Sequence, residues 1–202
     1  MKIGVLALQG DFKEHIRALQ SCGAETVAIR RASEIQGIDG LVLPGGESTT
    51  IAKLARSFGI FNPIQEAIGQ GLPVYGSCAG MILLADQVID AGVGQETFGG
   101  IEMIVRRNAF GRQVDSFESE IFISGITGPA IPGLFIRAPW VESLSEKVEV
   151  LASVQTPDGQ DHAVAIRQGA LLATSFHPEI TGDLRIHQYF LDQVCKLQPS
   201  IK

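Results

Sequence analysis

Two short segments of the chain carry the residue types that acyl-transfer chemistry needs. Cys78 lies in Gly76-Ser77-Cys78-Ala79-Gly80, after an apolar run and before a helical one. A glycine–x–nucleophile–x–glycine pattern at such a junction predicts a sharp strand-to-helix elbow that presents the nucleophile. The N-terminus of the following helix favours thiolate over thiol, and the thiolate is the reactive form. The N–H of Ala79 then points to where a tetrahedral oxyanion forms. The competing reading is a small buried hydrophobe, the usual fate of a free cysteine. The elbow context brings the two readings level. Cys22 and Cys195 fall on amphipathic helical patterns, and for them the hydrophobe reading prevails.

The second segment is Ser175-Phe176-His177-Pro178-Glu179. In an extended segment residues two apart point the same way. Pro178 is expected to hold the segment away from helix. A carboxylate can then bond one ring nitrogen and leave the other facing a thiol, the logic of nucleophile, base and orienter. A surface turn with a chance histidine is the alternative for this pair alone. His15, His162 and His187 lack such company and read as helix-surface or loop residues. The four histidines show no metal-ligand spacing, so no metal is expected.

A third segment, Pro44-Gly45-Gly46-Glu47-Ser48-Thr49-Thr50, follows an apolar strand pattern. Loops at strand C-termini line the site in open parallel sheets. Gly46 is a candidate second oxyanion donor, because paired glycines let backbone N–H groups approach a substrate. A phosphate loop is the rival reading, but no GxxxxGK[ST] is present. Glutamine is a zwitterion with a short amide arm. Its recognition needs a carboxylate near the amino group and a cation or N–H groups near the carboxylate. Glu47, Arg107 and Arg137 are available, though solvated surface charge is the default for any one of them.

Strand and helix patterns alternate through the first half, and these must position the three segments. Strands are expected over Lys2–Leu8, Thr26–Ile29, Leu41–Leu43 and Pro73–Tyr75. Helices are expected from Phe12 (capped by Asp11, ended by Gly23), from Ser48, over Pro63–Ile68 and over Ala79–Ala85. Such alternation implies parallel βαβ units and an α/β three-layer sandwich with a mixed, mainly parallel central sheet. The second half predicts shorter strands at Ile101–Val105, Ile121–Ser124, Leu134–Ile136, Val148–Val154, Ala163–Arg167 and Ala170–Thr174, then a helix from Asp183 to about Lys196. With 202 residues and no linker or repeat, one domain over 1–202 is the economical reading.

Composition narrows the partners. The chain is 45% hydrophobic and 19% charged, a globular balance. Its net charge of −6 argues against nucleic acid. Three cysteines without CxxC spacing argue against a disulfide framework and fit a reducing cytoplasm. No signal peptide and no membrane-spanning run is evident.

Taken together, these residues resemble the triad-type glutamine amidotransferases of flavodoxin-like fold. Within that group the chain is similar to the glutaminase subunits of pyridoxal 5′-phosphate synthase. The resemblance rests on Gly4-Val5-Leu6-Ala7-Leu8-Gln9-Gly10, the Pro44–Thr50 loop, Gly76–Gly80, Arg107-Asn108, Phe135-Ile136-Arg137-Ala138-Pro139 and Ser175–Glu179. Most specific is Phe110-Gly111-Arg112-Gln113-Val114-Asp115-Ser116-Phe117-Glu118. Each piece is short, but the ordered set covers almost the full length; Asp86–Phe98 is similar less closely.

The resemblance implies Cys78, His177 and Glu179 as the triad, with no cofactor. It sets L-glutamine against Gly46, Glu47, Ser48, Arg107, Ile136 and Arg137. It implies a TIM-barrel synthase subunit as partner, in a large assembly with glutaminases on the outside, and ammonia passed on for vitamin B6 synthesis. Gln9-Gly10 and nearby loops become candidates for sensing that partner. Two rivals stay open at this point: a glutaminase of another amidotransferase or a γ-glutamyl hydrolase on the same fold, and a non-catalytic binding subunit.

Overall fold

The apolar runs of the chain become strands and the amphipathic ones helices, in a computed structural model that describes residues 1–107, 116–155 and 159–196. In chain order the first half holds β1 (Lys2–Leu6), α1 (Phe12–Ser21), β2 (Glu25–Ile29), β3 (Gly40–Leu43), α2 (Ser48–Ser57), α3 (Phe61–Gly69), β4 (Val74–Ser77) and α4 (Ala79–Leu84). Then follow β5 (Ala85–Ile89), β6 (Ile101–Arg106), β7 (Ser116–Ile121), β8 (Ile131–Ile136), β9 (Trp140–Leu144), β10 (Glu149–Gln155), β11 (Asp161–Gln168) and β12 (Leu171–Thr174). The short helices α5 (Pro178–Thr181) and α6 (Arg185–Tyr189) complete the order, and α6 runs on into a π-helical turn over Phe190–Cys195.

Among the described residues the central sheet has seven strands in the order β10-β11-β12-β4-β3-β1-β2. The five strands from β2 to β12 pair parallel. The last two, β11 and β10, are antiparallel. Parallel strands buried on both faces need apolar residues at successive positions, and the sequence supplies them. On one face Leu6, Leu41, Leu43 and Val74 join a core with α2, α3 and α4. On the other, Val5, Val42 and Tyr75 join Leu19 of α1 with Ile186 and Phe190. Two small sheets, β5-β6-β9 and β7-β8, extend these two cores. This is the mixed, mainly parallel sheet with flanking helices that the sequence implies.

Several boundaries differ from expectation. The strands β5 and β9 were not expected. β7 occupies Ser116–Ile121 rather than Ile121–Ser124, because its outward positions are charged and serine-rich and hide the alternation. Glu47, not Ser48, caps α2: its carboxylate accepts from the N–H groups of Thr49 and Thr50. Pro178 starts a helix rather than forbidding one, since proline at the first helical position gives up an N–H that would go unused.

Candidate active site

The C-terminal ends of β3 and β4 carry the cysteine and glycine loops to one edge of the sheet. Cys78 stands between β4 and α4 with φ +50° and ψ −100°. A non-glycine residue in the left-handed region costs on the order of 1–3 kcal/mol, and such strain clusters at functional sites. The elbow closes tightly because α4 packs on β3 at Gly80. A Cβ there would lie 2.2 Å from the carbonyl oxygen of Leu43. The thiol is buried, at 6% exposure.

His177 and Glu179 reach the cysteine by a route other than the expected one. His177 is extended (φ −108°, ψ 83°) and caps α5, so Glu179 sits in the first helical turn. The turn folds the carboxylate back, and Glu179 Oε1 lies 2.7 Å from His177 Nδ1. The other ring nitrogen of His177 is left for Cys78, which lines the same cleft and acts on the ring's charge. Gly45 backs the ring: a Cβ there would lie 2.4 Å from His177 Cε1.

Electrostatics follow from this burial and pairing. Burial works against charge on His177, but its interactions with Cys78 and Glu179 outweigh that and raise its pKa to about 10. Burial likewise opposes charge on Glu179, yet His15 and the hydrogen-bonded His177 together bring it down to about 2. Asp11 stands at the mouth, 3.9 Å from His177 Nδ1, with its carboxyl raised by burial and by Glu179.

The cleft in front of Cys78 has a volume of about 240 Å³. It is lined by every residue the sequence reading named for the site except Glu179, which lies behind His177. Arg107 Nη2 donates to Glu47 Oε1 at 2.8 Å, and Arg107 Nη1 donates to Thr49 Oγ1 and Gln95 Oε1. Burial opposes charge on Glu47, but donors from Thr50, Thr49 and Arg107 lower its pKa to about 2. A fixed carboxylate and a fixed guanidinium therefore face a small cleft. Gln9 Oε1 accepts the N–H of Glu47 at 2.8 Å and ties β1 to the glycine loop. Arg137, with φ +44°, closes the far wall beside Ile136. Asn108 and the Phe110–Asp115 part of the specific run lie outside the described residues.

Four residues that the sequence reading passed over belong here. Gln95 joins Ser48, Thr49 and Arg107 in one network, in a stretch without a helical or strand period to flag it. Ser77 Oγ donates to Glu179 Oε2 at 3.2 Å. His15 and His187, expected on helix surfaces, are fully buried. A signal existed: each sits within the apolar stripe of its helix, His15 with Phe12 and Leu19, His187 with Phe190 and Val194. His162 is also buried, on β11, with its ring stacked on Trp140 at 4.1 Å.

A cysteine on a strand–helix elbow, beside a buried and hydrogen-bonded histidine–glutamate pair on an α/β sheet, is the arrangement of triad-type cysteine amidohydrolases. The comparisons with known proteins give the family. The model of the SNO glutamine amidotransferase family matches residues 5–196, and the chain belongs to that family. It is 59% identical over 194 residues to the pyridoxal 5′-phosphate synthase subunit PdxT of Kineococcus radiotolerans, covering 95% of this chain and 94% of that protein. It is 58% identical over 193 residues to the same subunit of a Parafrankia strain, covering 96% and 93%. A crystal structure of a glutamine amidotransferase superposes with a TM-score of 0.87 at 45% identity, covering 96% of this chain and 99% of that one. Among the described residues no helix is long and apolar enough to cross a membrane.

Proposed function

We propose that the chain is a single glutaminase domain that hydrolyses L-glutamine to L-glutamate and ammonia and hands the ammonia to a pyridoxal 5′-phosphate synthase subunit in the cytoplasm. The observation that carries this reading is the elbow cysteine Cys78 beside the hydrogen-bonded pair His177–Glu179, opening on a small cleft that holds a fixed carboxylate and a fixed guanidinium.

The chemistry assigns each group a step. Cys78 Sγ attacks the side-chain amide carbon of glutamine while His177, raised to about 10, holds the proton that came from the thiol. N–H groups of Ala79 and Gly46 hold the oxyanion. His177 gives the proton to the departing nitrogen, so ammonia leaves and a γ-glutamyl thioester remains. Water then adds to the thioester carbon, His177 takes its proton, and glutamate leaves as the proton returns to sulfur. Glu179 holds Nδ1 and so keeps the other ring nitrogen turned to the sulfur. Glu47 meets the substrate ammonium, Arg107 and Arg137 serve its carboxylate, and Ser48 and Ile136 shape the wall.

Ammonia is mostly ammonium in neutral water and then is no nucleophile. A sealed route to the partner is therefore part of the proposal, with a TIM-barrel synthase core and glutaminases docked outside it. Gln9, bonded to the N–H of Glu47, is placed to pass the partner's arrival to the glycine loop. The test is glutamate release from glutamine, with and without the synthase subunit of the same organism. Strong stimulation, abolished in Cys78→Ala, is expected. Turnover indifferent to the synthase would move the assignment to a γ-glutamyl hydrolase or another amidohydrolase, and none at all would leave a binding subunit.

A further inference from the structure

Behind the histidine–glutamate pair lies a second pair of histidines that the reaction above does not use. His15 on α1 and His187 on α6 are both fully buried. His15 Nδ1 and His187 Nε2 are 2.9 Å apart. On its other side, His15 Nε2 faces Glu179 Oε2 at 3.5 Å. Glu179 is thus addressed from two directions. Oε1 holds His177, while Oε2 takes Ser77 and faces His15.

The positions of the protons follow from elementary chemistry. Burial lowers the pKa of His15, and it lowers that of His187 to about 3, so both rings are neutral near neutrality. The charged or titratable groups around them are Glu179, His177, Asp11, Glu14 and Asp183. The ring of Tyr75 packs edge-on against both, at 5.9 and 6.0 Å. A neutral imidazole has one donor and one acceptor nitrogen. A lone pair on His15 Nε2 would confront the Glu179 carboxylate, so the proton belongs on Nε2. His15 Nδ1 is then an acceptor, and His187 must donate to it from Nε2. That leaves His187 Nδ1 as the bare acceptor, and it has no hydrogen-bond partner among the described residues. The assignment is consistent along the whole series from His187 to Cys78.

We propose that His15, locked in this tautomer by His187, is a positioning residue for glutamine hydrolysis: its Nε2–H holds Glu179 ionised and aimed at His177. The inference rests on the reading of Cys78, His177 and Glu179 as the triad. Nε2 of His15 is buried without a formed hydrogen bond, and its only polar facing group in the series is the carboxylate. At 3.5 Å the contact is longer than a hydrogen bond at rest. Catalytic hydrogen bonds commonly tighten when substrate binds. A donor on Oε2 matters most when His177 has taken the thiol proton. It lowers the proton affinity of Glu179, so the proton stays on the imidazole for the departing ammonia.

The amide nitrogen of glutamine can replace Nε2 of a histidine, whereas that of asparagine can replace only Nδ1. This gives a test that mere core packing would not pass. The full chain is assayed with its synthase subunit for kcat and KM separately, and thermal unfolding of each variant is recorded. His15→Phe and His15→Asn are expected to lower kcat about ten- to a hundredfold, the loss of one hydrogen bond to a charged group, with KM little changed. His15→Gln is expected to recover most of that loss. Equal loss in His15→Gln and His15→Asn, or a loss confined to KM, would overturn the positioning role. If His15→Phe does not fold, the Gln–Asn comparison decides by itself. A wild type without turnover, or an active Cys78→Ala, would instead break the triad reading on which the inference stands.

Discussion

The central sheet has a buried cysteine at each end, and the two differ in nearly everything except burial. Cys78 is 6% exposed and Cys195 is 8% exposed. Cys78 lies beyond the C-terminal ends of β3 and β4, against the cleft of about 240 Å³. Cys195 lies at the other end, where Asp39 and Pro73 lead into the same two strands, and it lines a cleft of about 760 Å³. Burial and the nearby Asp39 push the Cys195 thiol up to about 12. Its charged neighbour opposes a thiolate, whereas the neighbour of Cys78 is a histidine that can take the proton. Volume alone therefore does not mark the reactive end. What distinguishes the reactive end is the partner set that the loops deliver.

The largest effects should separate the two cysteines outright. Cys78→Ala is expected to reduce glutamate release to background, a loss of up to about 10⁶-fold for removal of a nucleophile. Cys195→Ala should keep wild-type turnover in the same assay. Comparable losses in both would erase the distinction between the two ends.

A second pair of variants sharpens the contrast at equal crowding. Gly45→Ala would set a Cβ 2.4 Å from His177 Cε1, and Gly40→Ala would set one 2.9 Å from Cys195 Sγ. Both force a neighbour to move. At position 45 that neighbour is the base, and a displacement of about 1 Å can cost on the order of 10²-fold in turnover. Gly40→Ala should instead lower the melting temperature and leave kcat near wild type. Measuring kcat and unfolding on both variants checks this, and a drop in kcat for Gly40→Ala would show the ends to be coupled.

The same contrast explains what could be read in advance. Cys78, the glycine loop and the His-Pro-Glu segment are local: their spacing points to an elbow, a close backbone approach and a histidine–carboxylate pair. The parallel sheet was equally legible, since the runs at Val5-Leu6, Leu41–Leu43 and Val74-Tyr75 can only be strands buried on both faces. His15 and His187 were missed because their meaning is a contact across 172 residues. Their helical stripes foretell burial, but no short-range pattern foretells the partner each ring meets. Glu179 meets His177 by another route than the one foreseen: the expected extended segment is a helical turn, and both geometries bring a carboxylate to Nδ1.

The smallest expected effect concerns stability against pH, and its sign separates the ends again. Folded His187 titrates at about 3 against an ordinary 6.5. Between those values the unfolded chain binds a proton that the folded chain refuses, so stability falls as pH drops from 6.5 towards 3. Glu179, at about 2 against 4.5, has the same sign but acts only below 4.5. His177, raised from 6.5 to about 10, works the other way: its contribution is whole below 6.5 and is lost as pH rises through 10. Cys195, raised from 9.0 to about 12, is silent in acid and loses its contribution only above pH 9. Urea unfolding between pH 6.5 and 4.5 therefore isolates the buried histidines from both Glu179 and Cys195. One such group sets a slope of at most about 1.4 kcal/mol per pH unit there. His187→Phe should flatten that slope by up to this amount, with His15 supplying the remainder, while Cys195→Ala leaves it unchanged. An unaltered acid slope in His187→Phe would mean that the ring is not held neutral in the fold, and the tautomer order behind Glu179 would fall with it.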